Sequence, residues 1–369
     1  MKRLLILIAA GALLLCAASA LADYHVTGPG GQEYARTVVI SPVPGDDSAS
    51  GQALRDALGA ITDAAADNRW LIKLEPGVFN LGSVSLVMKE YVDIEGSSWD
   101  GTRIVGTGMQ LIWGAGNCEL RDLKLICANS SGHATGVNCT SGCPNMHRVE
   151  LQVSGVSDGT STSGLYMNTC PGEPLIFDSI ISVHCENSLA FAAYVIDSSL
   201  VARRCSLSAT TNTVGAYAAG LYVKSGGRAD IGGCTVQASG TGSSSSYGVL
   251  ASNNGTEVRV QNCSISAKFA GVQATPSGET PSLYLHNSKV EASDVSGRGI
   301  QLVGFSQAYV QASIISAPDG YPLLLGEDVD VTVATSQVEG VVSGEYAGLT
   351  CVKCYNENLT ELNAKCRTP

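Results

Sequence analysis

The segment Glu257-Val258-Arg259-Val260-Gln261-Asn262-Cys263-Ser264-Ile265 contains two short runs in which apolar and polar residues alternate. Alternate side chains of a strand point to opposite faces, so each run predicts a strand with one apolar face. The alternation slips by one residue at Gln261-Asn262, which predicts a tight turn there. Asparagine tolerates the left-handed backbone of such turns. Asn287 recurs at the same place, which predicts asparagine side chains that stack and hydrogen-bond between successive units.

Units of this kind recur along most of the chain at intervals of 23 to 28 residues. A period in the twenties without helical periodicity is typical of a β-solenoid. The alternation of apolar and polar residues within each unit requires three short strands per coil, stacked in parallel. The sequence therefore predicts an all-β, right-handed parallel β-helix over residues 109–345. The apolar residues that mark successive units are Ile112, Val137, Leu165, Ala193, Leu221, Val249, Val272, Ile300 and Leu324.

The segment before the repeats predicts a short capping helix. Leu54, Leu58 and Ile61 recur at helical spacing, and Ser50 is the predicted N-cap. The helix is expected to cover the open first coil, because an exposed strand edge invites aggregation. We assign residues 23–108 to the N-terminal cap and first coils and 346–369 to a cysteine-containing C-terminal cap, with 23–369 forming one domain.

The N-terminus predicts a secretory signal peptide over residues 1–22. Lys2 and Arg3 precede an apolar run over 4–16, and Ala20-Leu21-Ala22 fits the small-x-small cleavage rule. The run is shorter than a membrane span and no second one follows. We therefore expect cleavage near Ala22, release to the periplasm, cell surface or medium, and no membrane span.

The charge balance narrows the class of partner. The formal net charge is −11, and only 15% of residues are charged. An acidic surface disfavours nucleic acid and anionic membranes as partners, and it also does not favour a polyanionic substrate.

Thirteen cysteines, of which Cys16 lies in the predicted signal peptide, indicate an oxidising compartment and disulfides. Cys205, Cys234 and Cys263 share one register position, 29 residues apart. Because neighbouring strands lie about 4.8 Å apart, their sulfurs should form an internal stack. The stack is either a ladder of small buried side chains or contains a disulfide.

Two other groups of cysteines are disulfide candidates. One contains Cys118, Cys143 and Cys170, which fall at similar register, and the other contains Cys351, Cys354 and Cys366 near the C-terminus. In the second group, Cys351 or Cys354 closing onto Cys366 would fix the tail. Cys351-Val-Lys-Cys354 lacks the second matching pair of a zinc site, so no metal site is predicted.

Three motifs near the N-terminus resemble the pectin-lyase-like superfamily, pectin methylesterases especially. They are Pro76-Gly77-Val78-Phe79, Ile94-Glu95-Gly96 and Thr102-Arg103-Ile104, within a resemblance that covers residues 38–105. The resemblance implies a right-handed parallel β-helix. It does not imply one activity, because that superfamily contains lyases, hydrolases, esterases, epimerases and adhesins. The catalytic signatures of pectin methylesterases, polygalacturonases and pectate lyases are not matched here.

Candidate catalytic residues come from the centre of the chain. Asp178 and Arg204 fall close in register on neighbouring coils, and His184 is near in sequence. Asp178 as general base and Arg204 as the group that stabilises developing charge is one interpretation, and surface ion pairs are the other. No cofactor is predicted. Calcium would find carboxylates only in 327–330, where a solvated acidic turn is the simpler interpretation.

Candidate ligand-binding residues lie further along the repeats. Tyr284 and Tyr309 align on successive coils and predict two stacked outward rings, which would form either a sugar-stacking platform or a sheet-stabilising ladder. Two oppositely charged pairs align on neighbouring coils and predict either surface ion pairs or part of a binding face. The pairs are Arg228 with Glu257, and Asp230 with Arg259.

Two functions compete. The first is a carbohydrate-binding, adhesive or structural extracellular protein, which fits the regular, low-charge repeat and its cysteines. The alternative is a polysaccharide-active enzyme of the pectin-lyase-like type, either an esterase, a lyase or a hydrolase. The short loops argue against a deep cleft, so the sequence favours the non-catalytic protein.

Overall fold

The computed structural model describes residues 34–156, 161–241, 246–253, 255–276, 281–304, 306–344 and 348–367. The predicted signal peptide at 1–22 lies outside these ranges. Almost every described element is a short strand, and successive coils pair in parallel. The predicted all-β fold, a parallel β-helix with three strands per coil and one short capping helix, is confirmed. No helix in the described part of the chain is long and apolar enough to cross a bilayer.

The first face of each coil carries most of the residues discussed below. Two long strands, β8 (Glu119–Asn129) and β10 (Asn145–Gly155), bend at a corner and continue into the second face. The strands of the first face are β1 (Arg36–Ile40), β2 (Trp70–Leu74), β5 (Val92–Glu95), β8 (Glu119–Asn129), β10 (Asn145–Gly155), β12 (Leu175–Phe177), β15 (Ser199–Arg203), β18 (Arg228–Gly232), β21 (Glu257–Gln261), β24 (Ser282–His286), β27 (Gln307–Gln311), β30 (Asp330–Ala334) and β33 (Leu349–Val352).

The second face follows the first after a corner, and the third face closes the coil. The second face adds β3 (Gly77–Asn80), β6 (Thr102–Gly106), β13 (Ile180–Cys185), β16 (Ser206–Thr211), β19 (Thr235–Gly240), β22 (Ser264–Ala267), β25 (Lys289–Ala292), β28 (Ile314–Ser316) and β31 (Gln337–Glu339). The third face contains β4 (Leu86–Val87), β7 (Gln110–Trp113), β9 (Thr135–Cys139), β11 (Thr162–Asn168), β14 (Ala190–Ile196), β17 (Ala218–Lys224), β20 (Ser246–Ser252), β23 (Ala270–Thr275), β26 (Arg298–Leu302), β29 (Tyr321–Leu325) and β32 (Ser343–Gly344).

The capping helix α1 spans Asp47–Ala60 and buries Leu54 and Leu58 in the common core. It packs closely on β3, where a Cβ on Gly51 would lie 2.0 Å from the carbonyl oxygen of Asn80. The predicted N-cap was wrong. Asp46, one turn before Ser50, caps the helix, because its carboxylate accepts a hydrogen bond from the amide of Ala49 at 2.8 Å.

The corner between the first and second faces repeats a left-handed backbone. Asn262 and Asn287 have φ values of 54° and 46°, and Asn287 Nδ2 donates to Asn262 Oδ1 at 2.6 Å. The predicted turn and asparagine stack are therefore confirmed. The corner residues with positive φ are Asp122, Arg148, Asp178, Arg204, Gly233, Asn262, Asn287, Ala312, Thr335 and Lys353.

The residue after each corner points into the core, and from Ser179 onward these residues form a ladder of sulfur and hydroxyl groups. Cys205, Cys234 and Cys263 are buried there as thiols. The amide of Cys205 donates to Cys234 Sγ at 3.4 Å, and that of Cys234 donates to Cys263 Sγ at 3.3 Å. Ser288 and Ser313 continue the ladder with hydroxyls that accept the same bond. The predicted stack is a hydrogen-bonded ladder of thiols, not a disulfide.

Replacing Cys234 by alanine tests whether this ladder supports the fold. Cys234→Ala leaves the buried Cys205 amide without its acceptor, so we expect the free energy of unfolding to fall by about 1–3 kcal/mol. Urea unfolding followed by circular dichroism measures the change. Cys234→Ser is the control, because serine supplies the acceptor at Ser288, and it should lose clearly less stability. Equal losses in the two variants would show that sulfur volume, not the hydrogen bond, matters.

Candidate functional site

Asp178 and Arg204 lie on successive coils at the first corner and form a two-bond ion pair. Arg204 Nε and Nη2 donate to Asp178 Oδ1 and Oδ2, each at 2.7 Å. Hydrogen bonding from Arg204 lowers the pKa of the Asp178 carboxyl below its usual value. The guanidinium also lies 4.0 Å from the centre of the Phe177 ring. A carboxylate held in this way is a weak base.

His184 does not join this pair. It lies in β13 on the second face, where Nδ1 is 2.9 Å from Thr210 Oγ1 and Nε2 is 3.5 Å from Asn212 Nδ2. The predicted grouping of His184 with Asp178 and Arg204 is therefore wrong. The cause is the corner at Asp178, after which the chain turns onto a different face and carries His184 away.

The imidazole that approaches Asp178 belongs to His147. His147 aligns with Phe177 on the next coil, and the two rings lie 5.2 Å apart. Its Nε2 is 4.0 Å from Asp178 Oδ2, and its Nδ1 is 3.9 Å from Glu119 Oε1. The signal was present in the sequence, because His147 precedes the corner residue Arg148 just as Phe177 precedes Asp178.

Burial moves the pKa values of Glu119 and His147 toward each other. Burial raises the pKa of Glu119, although Arg121 opposes that shift. Burial, followed by the charge of Arg148, lowers the pKa of His147. Both side chains keep 17% of their surface exposed. A neighbouring carboxyl and imidazole with converging pKa values can exchange a proton, as general acid–base catalysis requires. We call Glu119, His147, Asp178 and Arg204 the charged cluster.

A buried polar network holds the charged cluster from below. The Arg121 side chain is 1% exposed and donates to Glu95 Oε2 at 2.6 Å and to Glu119 Oε2 at 3.2 Å. Arg121 also donates at 2.6 Å to the hydroxyl of Tyr34, which in turn donates to Asp93 at 2.8 Å. Since Arg121 cannot move without leaving these acceptors unpaired, it fixes the position of Glu119.

The two predicted tyrosines stack on the outer surface of the first face. Tyr284 in β24 pairs in register with Tyr309 in β27, their ring centres are 5.4 Å apart, and their planes differ by 7°. They are 37% and 44% exposed. The Arg259 guanidinium lies 5.4 Å from the Tyr284 ring centre and extends the row by one coil.

These rings line a groove of about 610 Å³ on the first face. Carboxylate, guanidinium, imidazole and amide groups surround the two rings, so one ligand can meet apolar ring edges and polar groups together. We call this the tyrosine groove, and its main lining residues are Asp230, Arg259, Gln261, Tyr284, His286, Tyr309 and Gln311.

The predicted ion pairs beside the groove form only in part, although both registers are as expected. Arg228 Nε is 3.9 Å from Glu257 Oε2. Arg259 bonds to Glu257 on its own strand at 2.5 Å, while Asp230 pairs with Arg203 at 2.9 Å. Asp230 and Arg259 therefore do not pair, because each already has a nearer partner.

The first of the two predicted groups of cysteines forms no disulfide among its own members. Cys143 lies in the loop after β9 and bonds to Cys139, the last residue of that strand, and not to Cys118 or Cys170. Those two are buried thiols, and burial raises the pKa of both. The end of the chain is closed by a disulfide from Cys351 to Cys366, while Cys354 remains a thiol.

No protein-family model and no curated protein matches the chain. Among solved structures, it is similar to the A-module of the mannuronan C-5 epimerase AlgE6 of Azotobacter vinelandii, at 15% identity, with 83% of this chain and 89% of that chain covered and a TM-score of 0.42. ORF18 of Geobacillus virus E2 gives 10% identity, 86% and 60% coverage and a TM-score of 0.39. DFA-IIIase from Arthrobacter chlorophenolicus A6 gives 12% identity, 87% and 86% coverage and a TM-score of 0.39. Such values carry no conclusion about activity.

The charged cluster makes a prediction for the titration of His147. In an NMR titration, its imidazole should titrate below the ordinary pKa of about 6.5. The unfolded chain then binds this proton more readily, so the stability due to His147 falls as pH drops from about 6.5 through the folded-state pKa. Arg148→Gln should raise the pKa of His147, whereas Arg259→Gln, further along the same face, should not. A wild-type pKa at or above 6.5 would contradict this electrostatic account.

Proposed function

We propose that the protein is an exported carbohydrate-binding β-helix whose tyrosine groove binds a polysaccharide chain. The observation that carries the proposal is the pair of parallel, exposed rings of Tyr284 and Tyr309. Because the rings stack on each other and Arg259 lies over the second face of Tyr284, their exposed edges form one apolar strip along the groove. The C–H groups of sugar rings can pack against such a strip at low entropic cost. The polar groups that surround the rings supply donors and acceptors for sugar hydroxyls.

The charge of the groove favours an uncharged polysaccharide. Arg259 is neutralised by Glu257, and Asp230 is neutralised by Arg203. These four residues therefore offer no free cation to bind a uronate and no free anion to bind an amino sugar. The net charge of −11 further disfavours a polyanionic chain.

The long axis of the groove supports a chain rather than a single sugar. Its lining comes from four successive coils, from Asp230 in β18 to Gln311 in β27. At about 4.8 Å between coils, this distance accommodates several sugar rings in a row. Export of the protein is part of the same proposal and is supported by the two disulfides, which persist in oxidising compartments.

Removing either ring should weaken binding of neutral oligosaccharides. We expect Tyr284→Ala and Tyr309→Ala each to reduce affinity about fivefold, or about 1 kcal/mol, because each removes one stacking surface. Isothermal titration calorimetry against a panel of neutral and acidic oligosaccharides measures this. Tyr284→Phe keeps the ring and should retain most of the affinity.

Tyr355→Ala is the matched control for these variants. Tyr355 is similarly exposed, at 39%, but lies in the C-terminal tail outside the groove. It should leave binding unchanged. The proposal fails if none of the oligosaccharides binds, or if the Tyr355 variant loses as much affinity as the groove variants.

The second candidate function is cleavage or modification of the same polysaccharide. The observation that favours it is the charged cluster on the same face, where Glu119 and His147 have converging pKa values. A bound chain that continued past the tyrosine groove toward β10 would pass this pair. In that case Glu119 and His147 would transfer the proton, and Arg204 would stabilise developing charge.

Chain length and ester content distinguish the two candidates. If the cluster is catalytic, size-exclusion chromatography of treated polysaccharides should show shortening, or titration should show de-esterification. Glu119→Gln and His147→Ala should each lower that rate by about 10²–10⁴-fold. His184→Ala on the second face should leave the rate unchanged. Unaltered polymers with the wild-type protein would leave binding as the function.

A further inference from the structure

The C-terminal tail is attached to the last coils by backbone bonds and by one disulfide. The amide of Cys351 in β33 donates to Ala364 O at 3.0 Å, and the amide of Leu362 donates to Cys354 O at 2.8 Å. The disulfide joins Cys351 to Cys366. The tail therefore closes the open end of the solenoid, where unpaired strand edges would otherwise be exposed.

A third cysteine lies beside this disulfide. The sulfur atoms of Cys351, Cys354 and Cys366 all lie within 4.8 Å of one another, and all three residues are buried. Cys354 occupies the ladder position after the last corner, the position that Ser336 occupies one coil earlier. Its Sγ donates to Val333 O at 3.2 Å. The ladder does not require a sulfur atom at this position, because serine occupies the same position on the preceding coils.

We propose that Cys354 makes the cap a disulfide-exchange switch, in which the tail is either locked to the last coil or released. The Cys354 thiolate attacks Cys351 Sγ and forms a Cys351–Cys354 bond. The Cys351–Cys366 bond breaks, and Cys366 leaves as a thiolate that takes up the proton lost by Cys354. One disulfide is exchanged for another, so no oxidant or reductant is consumed.

The two disulfides differ in whether they attach the C-terminal tail to the last coil. The Cys351–Cys366 bond closes a loop of 15 residues and holds the tail on the core. The Cys351–Cys354 bond spans a single corner and leaves residues 355–367 held only by hydrogen bonds and packing. The released Cys366 thiol then becomes available to a second thiol or disulfide. The switch is independent of carbohydrate binding.

Burial controls the exchange. It raises the pKa of the Cys354 thiol, so in the closed cap the group stays protonated and is a poor nucleophile. Transient opening of β33 exposes the thiol and permits attack. The exchange rate therefore reports the opening of this end of the solenoid.

Mapping the disulfides over time tests the switch on the full chain. The purified protein is incubated without reductant, labelled with iodoacetamide, digested with pepsin at acidic pH to prevent scrambling, and analysed by mass spectrometry. We expect a growing fraction with a Cys351–Cys354 link and labelled Cys366. Cys354→Ser is the matched control, because serine fits the ladder and removes only the third thiol, and Cys366 labelling should be about tenfold lower in it.

Three results would overturn the switch. The first is a wild-type protein in which Cys366 stays unlabelled and linked to Cys351 throughout, even when mild urea opens the last coil. The second is a Cys354–Cys366 link with labelled Cys351, which would mean that the tail is never released. The third is equal Cys366 labelling in wild type and Cys354→Ser, which would exclude Cys354 as the attacking group.

Discussion

The register between coils is the constraint on which the rest of the structure depends. From Asp122 onward, each coil has one residue in a left-handed conformation at the first corner, and the next residue points into the core. Because neighbouring strands lie about 4.8 Å apart, a group at one position meets its counterpart on the next coil. The asparagine stack at Asn262 and Asn287 and the ladder from Cys205 through Cys263 both follow from that repetition. Either a hydroxyl or a thiol can occupy the ladder position, because both accept the hydrogen bond from the amide of the preceding coil.

The same repetition turns single outward residues into rows on the first face. Tyr284 and Tyr309 become parallel rings because their positions coincide, and Asp178 and Arg204 become an ion pair for the same reason. Near its N-terminal end the first face carries buried and half-buried charges around Arg121, whereas toward its C-terminal end it carries open aromatic surface. A polysaccharide chain aligned with the solenoid axis would use both regions without a deep cleft, which the short loops do not provide.

The alternation pattern of single repeats was enough to predict the turn at Asn262 and the alignment of Tyr284 with Tyr309 on the next coil. The pattern failed where the length of the coils varies. Arg148 and Asp178 are 30 residues apart, but Asp122 and Arg148 are 26 apart, as are Asp178 and Arg204. A uniform period therefore hides the approach of His147 to Asp178. The pairing of Cys143 with Cys139 was missed because it forms inside one loop rather than between coils. Ser50 was predicted in place of the true N-cap, Asp46, because spacing alone does not show which oxygen reaches an amide.

Hydrogen–deuterium exchange with and without a bound neutral oligosaccharide tests most directly whether the first face is the binding surface. The account predicts that slowed exchange is confined to β18, β21, β24 and β27, and extends toward β12 if the chain is long enough to reach the charged cluster. Protection of the second or third face, with the first face unchanged, would contradict it.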